Sequence, residues 1–145
     1  MNYSTWTTDL ARDVAEFLTE FERRGLLPEE DDGALFQPSF IVADPNQATT
    51  IARETFVQSL PFRRSMFAKA RVGAARLVRA SQLDLDDRYL LVRSEWAAQR
   101  DASESIPLDS TFLLRRSDDG LTVLAYLNHR DIAKVLAELA ADGTN

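Results

Sequence analysis

Arg88-Tyr89-Leu90-Leu91-Val92-Arg93-Ser94-Glu95-Trp96 is followed by Ser110-Thr111-Phe112-Leu113-Leu114-Arg115-Arg116, then by Asp118-Asp119-Gly120 and Val123-Leu124-Ala125-Tyr126. Apolar, β-branched and aromatic residues dominate these runs, and turn residues separate them, which is how strands read. The extended stretches cover about 75–83, 88–100, 106–116 and 121–129, so four strands in succession predict an antiparallel meander. Asp118-Asp119-Gly120 carries the Asp-Gly signal of a tight hairpin, whereas 103–105 and 84–87 offer looser turns. Parity along the strand from Arg88 places Leu90, Val92, Ser94, Trp96 and Ala98 on one face and Tyr89, Leu91, Arg93, Glu95 and Ala97 on the other. Apolar residues occur on both faces, so one face suits packing on helices and the mixed face suits a dimer partner.

Upstream, Leu10, Val14, Phe17, Leu18 and Phe21 recur at helical spacing, predicting a helix from Thr8, as N-cap, to Arg24, ended by Gly25. The acidic run Glu29-Glu30-Asp31-Asp32, after Pro28, reads as a solvated loop, with a short second helix leading toward Leu35 and Phe36 as the alternative. A short strand over 39–43 ends at the turn Asp44-Pro45-Asn46, and 50–70 reads as a helix that Pro61 breaks or kinks near Leu60. After the meander, Asp131 is the expected N-cap of a closing helix carrying Ile132, Val135, Leu136 and Leu139, with Gly143 near its end. Helices first, strands next and a helix last make an α+β class.

Composition sets the outer bounds. At 145 residues and 45% hydrophobic, the chain predicts one domain, 1–145, with enough core to need neither disulfide nor structural metal. No cysteine and a single histidine argue against thiol chemistry and the common zinc sites. The formal charge of −6 argues against nucleic acid as a partner. No stretch is long and apolar enough for a membrane span, and the polar start Met1-Asn2-Tyr3-Ser4 lacks a signal pattern, so a cytoplasmic protein is expected. Neither a P-loop, a GxSxG elbow, an HExxH pair nor a dinucleotide fingerprint occurs, and no cofactor is implied.

The order of elements and the carboxyl-half residues quoted above, with the Trp-bearing strand and the Arg115-Arg116 pair before the Asp-Gly turn, resemble the nuclear transport factor 2-like superfamily, including its SnoaL-like members. The resemblance covers nearly the whole chain. It implies a cone-shaped α+β barrel: a curved antiparallel sheet with N-terminal helices packed on its concave face, a short C-terminal helix, and a pocket between helices and sheet. It also implies a homodimer built through the sheet. The superfamily holds isomerases, dehydratases, cyclases and pocketed proteins without known reactions, so the fold alone does not name a function.

Three residues are candidates for catalysis. His129 and Asp131 stand two apart and would form a dyad if the strand persists, although Asp131 also suits the N-cap; Asp44 is a candidate pocket carboxylate that equally suits its turn. Phe17, Phe21, Trp96, Phe112 and Leu127 are candidates for an apolar pocket wall, with Trp6 and Tyr126 also considered. Parity separates Tyr126 from Val123, Leu127 and His129, so a His129 facing the cavity would turn Tyr126 away. The stretch 55–83 contains Arg63, Arg64, Lys69, Arg71, Arg76 and Arg79 without an acidic residue, suiting either an anionic ligand at a cavity rim or ion pairs formed on folding. These features favour a pocket for a small, largely apolar organic molecule, with a cofactor-independent isomerase, dehydratase or cyclase as one alternative and a protein-interaction module as another.

Overall fold

Three consecutive strands, β3 (Val72–Asp84), β4 (Tyr89–Arg100) and β5 (Glu104–Ser117), run 12 to 14 residues each, long enough to bend around a core. The computed structural model describes residues 5–102 and 104–142. The readings placed on Met1–Ser4, Ser103 and Gly143 lie outside the described residues. Before these strands come α1 (Arg12–Leu26), a 3-10 turn (Pro28–Glu30), β1 (Phe36–Ala43), β2 (Ala48–Ala52) and α2 (Arg53–Lys69); β6 (Gly120–Asn128) and α3 (Ile132–Asp142) follow. All six strands join one curved sheet in the order β2-β1-β6-β5-β4-β3. The architecture is the expected α+β cone, with the meander in the expected order.

The sheet is not wholly antiparallel. β1 pairs in parallel with β6, while every other neighbouring pair is antiparallel. The register between β1 and β6 breaks between Phe36 and Ile41, and there the Arg53 guanidinium donates to the Phe36 carbonyl from Nε (3.0 Å) and Nη2 (2.5 Å), satisfying an acceptor beside the interrupted ladder. Further irregularities fall between Val72 and Ala75, at Val78 and at Leu124, where an extra residue opposes the partner strand. Bulges of this kind bend a strand and increase its twist, which helps long strands curve.

Burial alternates along β4 and β5: Leu90, Val92, Ser94, Trp96 and Ala98 are buried, as are Ile106, Leu108, Ser110, Phe112 and Leu114. This inner face meets Val14, Phe17 and Leu18 of α1, and side chains such as Phe112, Leu18 and Leu114 are almost wholly withdrawn from water. Each stabilises the fold by roughly 1.5–3 kcal/mol relative to exposure.

Several local expectations change. α1 begins at Arg12 with Ala11 as its N-cap, not at Thr8, because Thr7 bridges β3 through reciprocal backbone bonds with Gln82, and the Gln82 Oε1 accepts the Ala11 N–H at 2.7 Å. Thr50 and Ile51 belong to β2, not to a helix. α2 runs through Pro61 without interruption, since Phe56, Leu60, Met66 and Phe67 on both sides of the proline pack against the core; tertiary packing there outweighs the lost N–H donor. The acidic run is only partly solvated: Asp31 and Asp32 fold back onto Arg24 and onto the backbone N–H groups of Gly33 and Ala34. Asp131 does cap α3, its Oδ1 accepting the Lys134 N–H at 3.1 Å.

Candidate functional site

Phe21, on the last turns of α1, is the hub of an aromatic cluster. Its ring lies 4.9 Å from Phe112, 5.6 Å from Trp96, 5.8 Å from Tyr126 and 6.3 Å from Phe36, centroid to centroid. Phe112 and Tyr126 stack at 5.1 Å, and Phe17 meets Phe112 edge-on. Beyond Phe21 a cavity of about 380 Å³ opens between the end of α1, α2 and the inner face of the sheet, within the roughly 300–1,000 Å³ of small-molecule sites. Phe36, Phe56, Leu60, Trp96, Leu108 and Tyr126 give it apolar walls.

Polar groups are few and placed in two tiers. On the sheet, the Trp96 indole N–H donates to Ser94 Oγ (2.7 Å) and Ser110 Oγ (3.2 Å), and the two hydroxyls are 2.9 Å apart, so this buried trio is satisfied internally. Tyr126 differs: it is only 5% exposed, lines the cavity, and its hydroxyl makes no hydrogen bond within the described residues. Asn128, two residues on and therefore on the same face, also lines the cavity, its side-chain amide without a partner among the described residues.

The mouth is charged. Arg24 bonds Glu20, Asp31 and Asp32, clipping the end of α1 to the loop that follows it. Hydrogen bonds from Arg23 and then Arg24 lower the Glu20 carboxyl to about 2, and Arg24 likewise holds Asp32 below its ordinary value. Four of the six cations in the basic stretch find acidic partners on folding: Arg64 with Glu29, Arg71 with Asp101, Arg76 with Glu22 and Arg79 with Glu95. Arg63 and Lys69 do not, within the described residues. Arg63 lines the cavity and rests its guanidinium over the Phe67 ring at 5.7 Å.

The three proposed catalytic residues are not gathered around this space. His129 is exposed, and its Nε2 meets Thr111 Oγ1 at 2.6 Å on the outer face of the sheet. Asp131 spends one oxygen on its helix cap and the other on the Asn46 side-chain amide, 2.5 Å away. Asp44 accepts the N–H groups of Asn46 and Gln47 in its turn. The His129–Asp131 dyad is therefore not formed: β6 ends at Asn128 and the two side chains turn to different neighbours.

Of the pocket candidates, Phe21 and Trp96 line the cavity, Phe17 and Phe112 pack in the layer behind them, and Leu127 faces outward opposite Thr111. Trp6 is half exposed and lies outside the lining. Tyr126, considered as a wall residue with its facing left open, does line the cavity, whereas Asn128, on the same face of β6, was not singled out by the sequence. The simple alternation also fails at Leu124: as the extra residue of a bulge, it puts Val123 and Tyr126 on the same inner face, opposite Leu114 and Phe112. Among the described residues, no group of three or more acidic or imidazole side chains is placed to hold a metal.

Cone-shaped α+β folds with a pocket between helices and sheet form a recognisable class, and comparison with solved structures places this chain in it. It is similar to an NTF2-like protein with a cystatin-like fold from Novosphingobium aromaticivorans, with 13% identity, 86% of each chain covered and a TM-score of 0.65. It is similar also to an NTF2-like protein of unknown function from Shewanella oneidensis (12% identity, 81% of this chain and 96% of that one, TM-score 0.63). A Nostoc punctiforme protein of unknown function with a cystatin-like fold gives a TM-score of 0.60 at 12% identity, covering 82% of this chain and 89% of that one. No family model matches the sequence, and no curated protein matches it. The fold is the NTF2-like fold, and no particular reaction is attached to these structures.

Proposed function

We propose that this protein binds a small, largely apolar organic molecule in the cavity between α1, α2 and the concave sheet. The observation that carries the reading is an open, aromatic-walled space with two polar side chains in its wall, Tyr126 and Asn128, that have no hydrogen-bond partner among the described residues. Pockets of this composition gain affinity from apolar contact and orientation from a few hydrogen bonds. The lining carboxylates, Glu22 and Asp31, are each held by an arginine, Arg76 and Arg24. The reading is therefore of binding, with no proton transfer assigned.

The test is titration with neutral phenylnaphthylamine, followed by its fluorescence. The wild type is expected to bind it saturably, and Leu60→Trp, which fills the cavity from α2, is expected to abolish binding. Binding that ignores Leu60→Trp would overturn the reading.

We assign the outer sheet face to a homodimer contact in a cytoplasmic protein. That face presents Ile41, Leu91, Leu113 and Leu127 among the charges of Arg93, Glu95 and Arg115, a mixture that a two-fold axis can match to itself. Among the described residues, no helix is long and apolar enough to cross a membrane.

A further inference from the structure

Charge at the cavity mouth is locally uneven in a chain whose formal charge is −6. The charged residues of the lining are Glu22, Arg24, Asp31, Arg63 and Arg64. Arg24 is engaged by Asp31 and Asp32, Arg64 by Glu29, and Glu22 by Arg76, so their charges are matched across short bridges. Arg63 is half-buried, faces no carboxylate within the described residues, and is steadied by the Phe67 ring, itself part of the wall. A guanidinium offers up to five N–H donors in a planar fork that fits an oxyanion. Partial burial beside apolar walls makes an unanswered cation costlier than it would be in open water, and an anionic ligand would supply the missing partner.

We propose that the cavity selects amphiphilic anions: molecules with an apolar, ring-bearing body and one carboxylate or sulfonate group, which Arg63 engages. This rests on the reading of the cavity as a binding site and adds the ligand's charge to it. The aromatic walls take the body, and the Tyr126 hydroxyl and Asn128 amide take a second, neutral polar group where the ligand carries one. Neutral ligands of the same shape leave Arg63 unanswered, so selectivity arises at that side chain.

The test compares two dyes of nearly the same body, anilinonaphthalene sulfonate and neutral phenylnaphthylamine, on the wild type and on Arg63→Met, Lys69→Met and Leu60→Trp. Lys69→Met removes one charge from the same helix outside the cavity lining and controls for net charge. The wild type is expected to prefer the sulfonate by about tenfold or more, the scale of one charge-assisted hydrogen bond. Arg63→Met should erase that preference while leaving phenylnaphthylamine binding in place, and Lys69→Met should keep it. Equal binding of both dyes, unchanged by Arg63→Met but abolished by Leu60→Trp, overturns the anion selectivity and leaves the pocket reading standing. Failure of both dyes to bind, or binding of both that ignores Leu60→Trp, overturns the pocket reading and the selectivity with it.

Discussion

Tyr126 is a residue whose ring and hydroxyl have separate jobs. The ring stacks on Phe112 and packs against Phe21, while the hydroxyl has no hydrogen-bond partner among the described residues. Tyr126→Phe should therefore leave stability within about 1 kcal/mol in urea unfolding, because no protein hydrogen bond is lost. It should weaken any ligand that hydrogen-bonds there. Gly33 shows the opposite dependence. Its φ is +75°, and an added Cβ would come 2.7 Å from Arg53 Cγ and 2.9 Å from Val57 Cγ2. Arg53 has little freedom to yield, since it is anchored on the Phe36 carbonyl. Gly33→Ala should cost about 1–3 kcal/mol in the same assay. The sequence exposes part of this residue-level picture. Asp131 as a cap and the Asp-Gly turn follow from spacing, and Phe21 and Trp96 were candidate walls of a pocket that the resemblance implied. For Tyr126 the sequence left the facing open, because a bulge at Leu124 shifts parity and no residue type marks a bulge in advance.

At the scale of elements, Arg100 joins parts that are distant in sequence. It is only 8% exposed, and its Nε donates to the Ala70 carbonyl just after α2 (3.1 Å) while Nη2 donates to the Leu139 carbonyl in α3 (2.9 Å). A cation at these carbonyls satisfies acceptors that a helix end leaves open. Arg100→Met should cost about 2–4 kcal/mol, since it strands the buried Ala70 carbonyl and the part-buried Leu139 carbonyl and Glu104 loses its partner. Amide hydrogen exchange should show α3 losing protection before the sheet does. The long strands β3 to β6 and helix α1 are legible from periodicity because each carries its own apolar pattern. β2 is not: five residues, Ala48-Thr49-Thr50-Ile51-Ala52, run straight into a helix, so composition favours continuing the helix backwards. The parallel β1–β6 pairing is likewise invisible, because it is settled by the closure of the cone and by no local signal.

For the whole molecule, acid should loosen the fold in a defined window. Asp13 is lowered chiefly by its hydrogen bond from Arg116, Glu20 by Arg23 and Arg24, Asp32 by Arg24, and Asp86 by the N–H groups of Tyr89 and Arg88. Each binds its proton less readily when folded, so its contribution is complete above the unfolded value and drains away as pH falls through the folded one. For Glu20 that window runs from 4.5 down to about 2. Urea midpoints should thus hold steady between neutrality and about pH 5 and fall below it, modestly, because these groups are near water. The proposed homodimer predicts that Leu113→Glu, on the outer face, gives a monomer in sedimentation velocity where the wild type is a dimer, while the helical circular dichroism is unchanged.

The most direct test of the central claim, that the cavity receives a small molecule, uses the contrast between the two tryptophans. Trp96 sits in the cavity wall, whereas Trp6 lies outside the lining. Titrating anilinonaphthalene sulfonate into nitrogen-labelled protein and following both indole N–H resonances, we predict that the Trp96 signal shifts saturably and the Trp6 signal stays in place. A Trp96 signal that stays fixed while dye binds elsewhere would contradict the account.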